Sequence, residues 1–174
     1  PFNGPLAEHP RIAAMIDGRE VEREAYFQPS NHAKVPGKPH LIVKEISQLL
    51  KRDAIVTLGA GLYARYAGRL KVFEPRSYLK SLGLGALGWA FPAALGAKLG
   101  QPSRQVITLM GDGDFLTVMQ DLETAVRENI AVTTVVFNDF GHGSIRELQR
   151  RDFGGREVGS DSRDVPFGDF ARLM

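Results

Sequence analysis

The chain contains no cysteine, which excludes a disulfide scaffold, a zinc–thiolate site and a cysteine nucleophile. That usage suits a reducing compartment, and a cytoplasmic location is the expectation. Long apolar runs are missing too. The longest uncharged stretch, residues 81–97, is broken by Gly83, Gly85, Gly88, Pro92 and Gly96, which leaves it too short for a membrane span of about 20 apolar residues. Neither sign of charge dominates: 22 Lys and Arg against 20 Asp and Glu leave a formal +2. With no dense basic stripe, neither a nucleic acid nor a membrane is expected as a partner. The chain starts at Pro1 without a charged-then-apolar leader and reads as cut from something longer. What is present, 174 residues of which 43% are hydrophobic and 24% charged, is globular composition with enough length for one hydrophobic core.

Pro1, Pro5, Pro10, Pro29, Pro36 and Pro39 crowd the first 39 residues, where only Arg11 to Tyr26 has a helical pattern. Residues 1–39 therefore read as a linker from a preceding domain. From His40 apolar residues recur at helical spacing as far as about Lys51. Ala54 to Leu58 is a short β-branched run stopped by Gly59-Ala60-Gly61, with a helix expected through Tyr63 to Tyr66. A glycine-rich loop, Gly83 to Gly88, feeds an Ala-rich helix from Trp89 to Leu99, with Pro92 in its first turn where a missing amide is tolerated. Val106 to Met110 is the next strand and runs into Gly111-Asp112-Gly113-Asp114. Met119, Leu122, Ala125, Val126 and Ile130 then predict one amphipathic helix from Leu116 to Asn129. Val132 to Phe137 is a third strand ending at Asn138-Asp139, and a last helix occupies Phe167 to Met174. Strands alternating with helices at this spacing imply right-handed crossovers and a three-layer α/β/α fold on a mostly parallel sheet. Residues 40–174 form that domain, which reads as incomplete at its C-terminus.

Ligands of parallel α/β sheets bind at the carboxyl ends of the strands. Two polar clusters fall there: Gly111-Asp112-Gly113-Asp114 after one strand and Asn138-Asp139-Phe140-Gly141 after the next. Strand tips that neighbour each other would bring two carboxylates and a carboxamide to one point. Such a hard-oxygen set suits Mg²⁺, which takes one or two carboxylates and completes its octahedron with phosphate oxygens and water. Gly111 and Gly113 allow close approach of a phosphate, and the helix start after Asp114 adds donors. The spacing predicts a metal-bound diphosphate. Taken singly, each cluster is also an ordinary turn or helix-cap sequence.

The run from Gly111 to Asp139, with residues 114–137 between Gly113 and Asn138, resembles the cofactor motif of thiamine diphosphate-dependent enzymes. Gly85-Ala86-Leu87-Gly88 and Pro92 to Ala97 upstream are similar to the segment preceding that motif in acetolactate synthase-like enzymes and 2-oxo acid decarboxylases. Gly143-Ser144-Ile145-Arg146 and Pro166 to Phe170 continue the likeness. The resemblance covers roughly Leu41 to Met174 and implies the diphosphate-binding domain of a lyase or transferase acting on 2-oxo acids. By that pattern Asp112 and Asp139 are Mg²⁺ ligands, and Gly141 contributes its carbonyl. Gly113 and Asp114 contact the diphosphate through their amides, Gly143 lies in the following turn, and Gly111 and Asn138 complete the motif. Gly85, Ala86 and Leu87 hold the aminopyrimidine, with Leu87 as the apolar wedge against the cofactor. Asp139 stands where the family pattern has Asn, and in Leu58 to Tyr63 only Gly61 matches.

Thiamine diphosphate chemistry also needs a Glu beside the aminopyrimidine. In the family that Glu comes from a pyrimidine-binding domain or subunit, and nothing in this chain matches it. The resemblance thus implies a partner carrying the Glu, a homo-oligomeric parent, and a chain inactive alone. Nothing in these residues bears on an FAD requirement. Two alternatives stand beside this. Gly59-Ala60-Gly61-Leu62-Tyr63-Ala64 fits the dinucleotide fingerprint of a Rossmann-type NAD(P) oxidoreductase, although the next acidic residue, Glu74, comes early. A non-catalytic domain that binds the cofactor for assembly is the other. His142 and the basic residues Arg146, Arg150, Arg151 and Arg156 read as solvated, His9, His32 and His40 as linker histidines, and Trp89 and Phe91 as core.

Overall fold

The computed structural model of the chain describes residues 38–174, together with Pro10. The linker, the helix expected at Arg11 to Tyr26, and His9 and His32 lie outside the described residues.

Four parallel strands form one sheet: β1 (Ile55–Leu58), β2 (Tyr78–Lys80), β3 (Val106–Gly111) and β4 (Thr133–Phe137), in the order β2-β1-β3-β4. β1 and β3 lie at its centre, paired Val56 to Ile107 and Leu58 to Leu109. They are buried on both faces, which is why they read as apolar, β-branched runs with one buried threonine each, Thr57 and Thr108. The period-2 alternation of side chains divides their residues between two cores. Val56, Leu58, Ile107 and Leu109 face Val43 and Ile46 of α1 (Pro39–Leu49), together with Tyr63 and with Ala67 of α2 (Ala64–Ala67). Met110 packs on the opposite side with Phe91 and Leu95 of α3 (Ala90–Gly100) and Phe115 of α4 (Asp112–Phe115). Ala125 of α5 (Asp121–Arg127) belongs to the same cluster, and Ile55 and Val106 close over Ala94. α6 (Gly143–Asp152) and α7 (Phe167–Leu173) follow β4. Among the described residues no helix is long and apolar enough to cross a membrane.

The chain leaves β1 towards β2 and leaves β3 towards β4, so β1 and β3 flank the point where the winding reverses. Loops from both strands meet at that crevice, the usual ligand position in such sheets.

Three expectations need correction. The amphipathic helix from Leu116 to Asn129 is interrupted: α4 ends at Phe115 and α5 begins at Asp121. Between them the amides of Thr117, Val118 and Asp121 bond three residues back, and the Thr117 hydroxyl caps the Asp114 carbonyl at 2.7 Å. A Thr hydroxyl competing for the backbone, next to β-branched Val118, breaks the ladder locally. β2 is an addition that hydrophobic pattern could not mark, since it is a three-residue edge strand with Tyr78 and Lys80 exposed. His40 is not in a linker but in α1, its ring 6.1 Å from that of Tyr66. Phe91 is core, whereas Trp89 is only partly buried against it.

Candidate functional site

Two polar groups sit at the strand tips, and each is built around one buried carboxylate. The first is Asp112, the opening residue of α4, placed there because β3 ends at Gly111. Its side chain is buried, with Oδ2 accepting the amide of Gly141 at 2.7 Å and the hydroxyl of Ser162 at 3.5 Å. The Gly141 amide comes from the loop after β4. Asn138 Oδ1 accepts the Phe140 amide at 3.1 Å, a side-chain-closed turn that stabilises Phe140 at φ 61°. Gly141 follows at φ 149°, and a Cβ there would overlap the Ser160 carbonyl oxygen. The turn carries Asp139 close enough to Asp112 for the two carboxylates to act on each other electrostatically. Burial, and then the Asp112 charge, push the Asp139 carboxyl above the usual carboxylate range, while the Arg146 guanidinium draws it down. Among the described residues no cluster of three or more His, Asp or Glu side chains could gather around a metal. A cation here would therefore rest on these two carboxylates and on backbone oxygen. Two apposed oxygen donors with a tight glycine turn between them fit a hard divalent cation such as Mg²⁺.

A strap from Ser160 to Asp164 closes this loop from outside. Gly141 pairs with Asp161 in an antiparallel bridge, His142 donates its amide to the Ser160 carbonyl at 2.8 Å, and Ser162 donates to the Phe140 carbonyl at 2.9 Å. Asn138 Nδ2 donates to Asp164 at 3.1 Å. Arg146 of α6 threads between loop and strap. Its guanidinium donates to the carbonyls of Asp139 at 3.3 Å, Phe140 at 3.0 Å and Ser160 at 3.4 Å, and pairs with Asp161 at 3.0 Å. Its side chain is only 18% exposed, so it is a clamp and not the solvated cation expected from sequence. Arg146→Ala should cost about 1.5–3 kcal/mol, the range for hydrogen bonds to a charged group, read by denaturant unfolding. Arg146→Lys should recover little of it, because an ammonium lacks the planar fork.

The second carboxylate, Asp114, is also buried. One oxygen accepts the Gly88 amide at 2.5 Å; the other accepts the Ala60 amide at 3.1 Å and the Tyr63 hydroxyl at 3.4 Å. Burial raises the Asp114 pKa, while these three donors pull it back. Tyr63 stacks on Phe137 with ring centroids 4.8 Å apart, and burial followed by the Asp114 charge drives its phenol upward. Gly59 is needed here for close approach, since a Cβ would overlap the Asp114 carboxylate. The glycines of the dinucleotide-like fingerprint thus have an internal role. The Gly59 amide bonds Leu109, the Ala60 amide bonds Asp114, and the helix that follows has four residues.

The structure therefore brings together Asp112, Asp139 and Gly141. Gly143 lies against the Asp139 carboxylate, and the His142 ring packs where a Gly113 side chain would be. Asn138 shapes the loop. Gly61 packs under the Tyr63 ring, and Gly111 sits 3.5 Å from that ring if given a Cβ. Gly85, Ala86 and Leu87 form an exposed loop with Gly85 at φ 63°, and Leu87 is 49% exposed, so it is no core leucine. Sequence pattern missed Tyr63, Ser162, Asp161 and Asp164. Their partners lie far away in the chain, and no periodicity marks such pairs.

Parallel strands with flanking helices, reversed winding at β1 and β3, and apposed acidic tips define an open α/β domain with its crevice at the strand tips. The profile of the thiamine pyrophosphate enzyme C-terminal TPP binding domain matches residues 59–174. The chain belongs to that family. It is 34% identical, over 93% of its length, to a probable acetolactate synthase large subunit of Methanococcus aeolicus, of which it covers 28%. The acetolactate synthase large subunit of Corynebacterium glutamicum is 36% identical over 74% of this chain and 21% of its own length. Acetolactate synthase isozyme 3 large subunit of Escherichia coli is 34% identical over 78% of the chain and 24% of its own. The chain spans about a quarter of the length of these relatives.

Proposed function

We propose that this chain binds the diphosphate end of thiamine diphosphate through a Mg²⁺ held by Asp112, Asp139 and the Gly141 carbonyl, in an enzyme acting on 2-oxo acids. The observation that carries this is the meeting of Asp112 and Asp139 across the Gly141 turn at adjacent strand tips. In this role the amides of Gly113 and Asp114, which lack intrahelical partners in the first turn of α4, face the diphosphate. Gly143 opens α6 beside them. The Gly85-Ala86-Leu87 loop takes the aminopyrimidine, with the exposed Leu87 side chain against the cofactor's rings. When bound there, thiamine diphosphate would supply the nucleophilic thiazolium carbon that decarboxylation of a 2-oxo acid requires. The chain's own residues orient the cofactor and hold its charge. The Glu beside the pyrimidine comes from a partner domain or subunit, so this chain by itself is inactive and the parent is an oligomer.

Relatives named as acetolactate synthases support carboligation between two 2-oxo acids over simple decarboxylation. The test is incubation of the intact protein with pyruvate, thiamine diphosphate and Mg²⁺, following CO₂ and product. CO₂ release that needs both the cofactor and Mg²⁺, with a carbon–carbon coupled product, is the expected result. Cofactor-dependent release of an aldehyde would make it a decarboxylase. Failure to turn over any 2-oxo acid while the cofactor binds would favour an assembly role.

A further inference from the structure

The cofactor chemistry above gives the Asp114 side chain nothing to do, yet it is one of the most highly connected polar groups of the crevice. We propose that Asp114 is a positioning residue: its carboxylate ties the loop that ends at Gly88 to the turn that opens α4, and so sets the spacing between the pyrimidine and diphosphate halves of the cofactor site. This rests on the function proposed above.

Three features support it. The three groups on the carboxylate, the amides of Gly88 and Ala60 and the Tyr63 hydroxyl, all serve as donors and come from two separate loops. Only an acceptor with two oxygens satisfies them; a carboxamide would place its NH₂ against a backbone N–H on one side or the other. None of these bonds caps α4 itself, whose N-cap residue is Gly111. The carboxylate thus works between elements and not within its own turn. Finally, Gly88 is the buried end of an otherwise exposed loop, residues 82–87. A Cβ at Gly88 would crowd Thr117 and Val118, just beyond α4, so Gly88 is gripped from two sides. Tyr63 is fixed in turn by its stack on Phe137. The Asp114 side chain is therefore the hydrogen-bonded link, beside the packing of Gly88 on Thr117 and Val118, that sets the position of Gly85-Ala86-Leu87 relative to Gly113.

The experiment uses the intact protein with Asp114→Ala, Asp114→Asn and Tyr63→Phe. Amide exchange is followed by mass spectrometry without cofactor, and thiamine diphosphate affinity is measured at saturating Mg²⁺. Asp114→Ala should speed exchange in peptides covering residues 81–89 and 59–63 and leave those covering 106–111 and 139–146 at wild-type rates. It should also weaken cofactor binding about tenfold, the equivalent of one hydrogen bond to a charged acceptor. Asp114→Asn should loosen one of the two loops, and Tyr63→Phe, which keeps both backbone bonds, should change affinity less than about threefold. Unchanged exchange in 81–89 in both Asp114 variants, or affinity within about twofold of wild type, overturns the proposal. So does faster exchange spread through 106–111 and 139–146, which would make Asp114 a general fold residue. If Asp114→Ala does not fold, the carboxamide variant decides. If the wild-type protein binds no thiamine diphosphate, the function proposed above fails, while the exchange measurement still reads the lock.

Discussion

Asp112→Ala is expected to abolish Mg²⁺-linked binding of thiamine diphosphate, with an affinity loss of at least about 100-fold. Substitutions one shell further from a metal already cost about 10–100-fold, and under the proposed function this one removes a ligand. Two effects combine in the alanine variant. It deletes one of the two carboxylates available to the cation, and it leaves the Gly141 amide, now bonded to Asp112 Oδ2 at 2.7 Å, without an acceptor inside the protein. Asp112→Asn separates them. A carboxamide oxygen can still accept the Gly141 amide, so the loop stays closed, but the charge is gone. Titration of both variants with thiamine diphosphate at several Mg²⁺ concentrations checks this. If the metal account holds, Asn resembles Ala in affinity and wild type in thermal stability. If Asp112 only closes the loop, Asn binds like wild type.

Gly141→Ala is the second large effect and tests the turn. Gly141 lies at φ 149°, where an L side chain is strained, and its Cβ would overlap the Ser160 carbonyl oxygen. That oxygen is backbone and accepts the His142 amide and Arg146, so it cannot move aside cheaply. Strain and overpacking together should cost about 3 kcal/mol. The strap is expected to lift from the loop, and Asp139 to lose its approach to Asp112. Denaturant unfolding should show the loss, and the Mg²⁺ requirement for cofactor binding should rise with it. Gly154→Ala is a control for φ alone, since it has φ 61° with open space around it. A Gly141→Ala protein no less stable than Gly154→Ala would contradict the closed-strap geometry.

What was legible in the sequence is what depends on local pattern. β1 and β3 announce themselves as short apolar, β-branched runs because they are central strands covered on both faces. Gly111 to Asp114 and Asn138 to Gly141 are legible because strand ends in a parallel sheet fall on one side, but that the two acidic tips lie close together followed only once β3 and β4 were seen to be neighbours, since one crossover also separates β2 from β3 and β1 stands between those. The break between α4 and α5 was not legible: the apolar spacing from Met119 to Ile130 is helical, and only the Thr117 hydroxyl bonding to Asp114 ends the ladder. Arg146 looked solvated among its neighbours Arg150 and Arg151, which are indeed exposed. What separates it is a ring of carbonyls supplied by residues 139, 140 and 160. The Asp114 contacts were hidden for the same reason. Their partners stand 26, 51 and 54 positions away, and a second aspartate in a Gly-Asp-Gly-Asp run looks like a turn residue until the loops from β1 and towards α3 are seen to close on it.

The most direct test of the central claim is calorimetric titration of the intact protein with thiamine diphosphate, in Mg²⁺ and again with Mg²⁺ chelated, with NAD titrated in parallel. Stoichiometric binding of thiamine diphosphate that disappears on chelation, with no heat from NAD, is the predicted result. Binding unaffected by chelation would contradict a metal-bridged diphosphate at Asp112 and Asp139, and binding of NAD alone would move the site to the Gly59 loop.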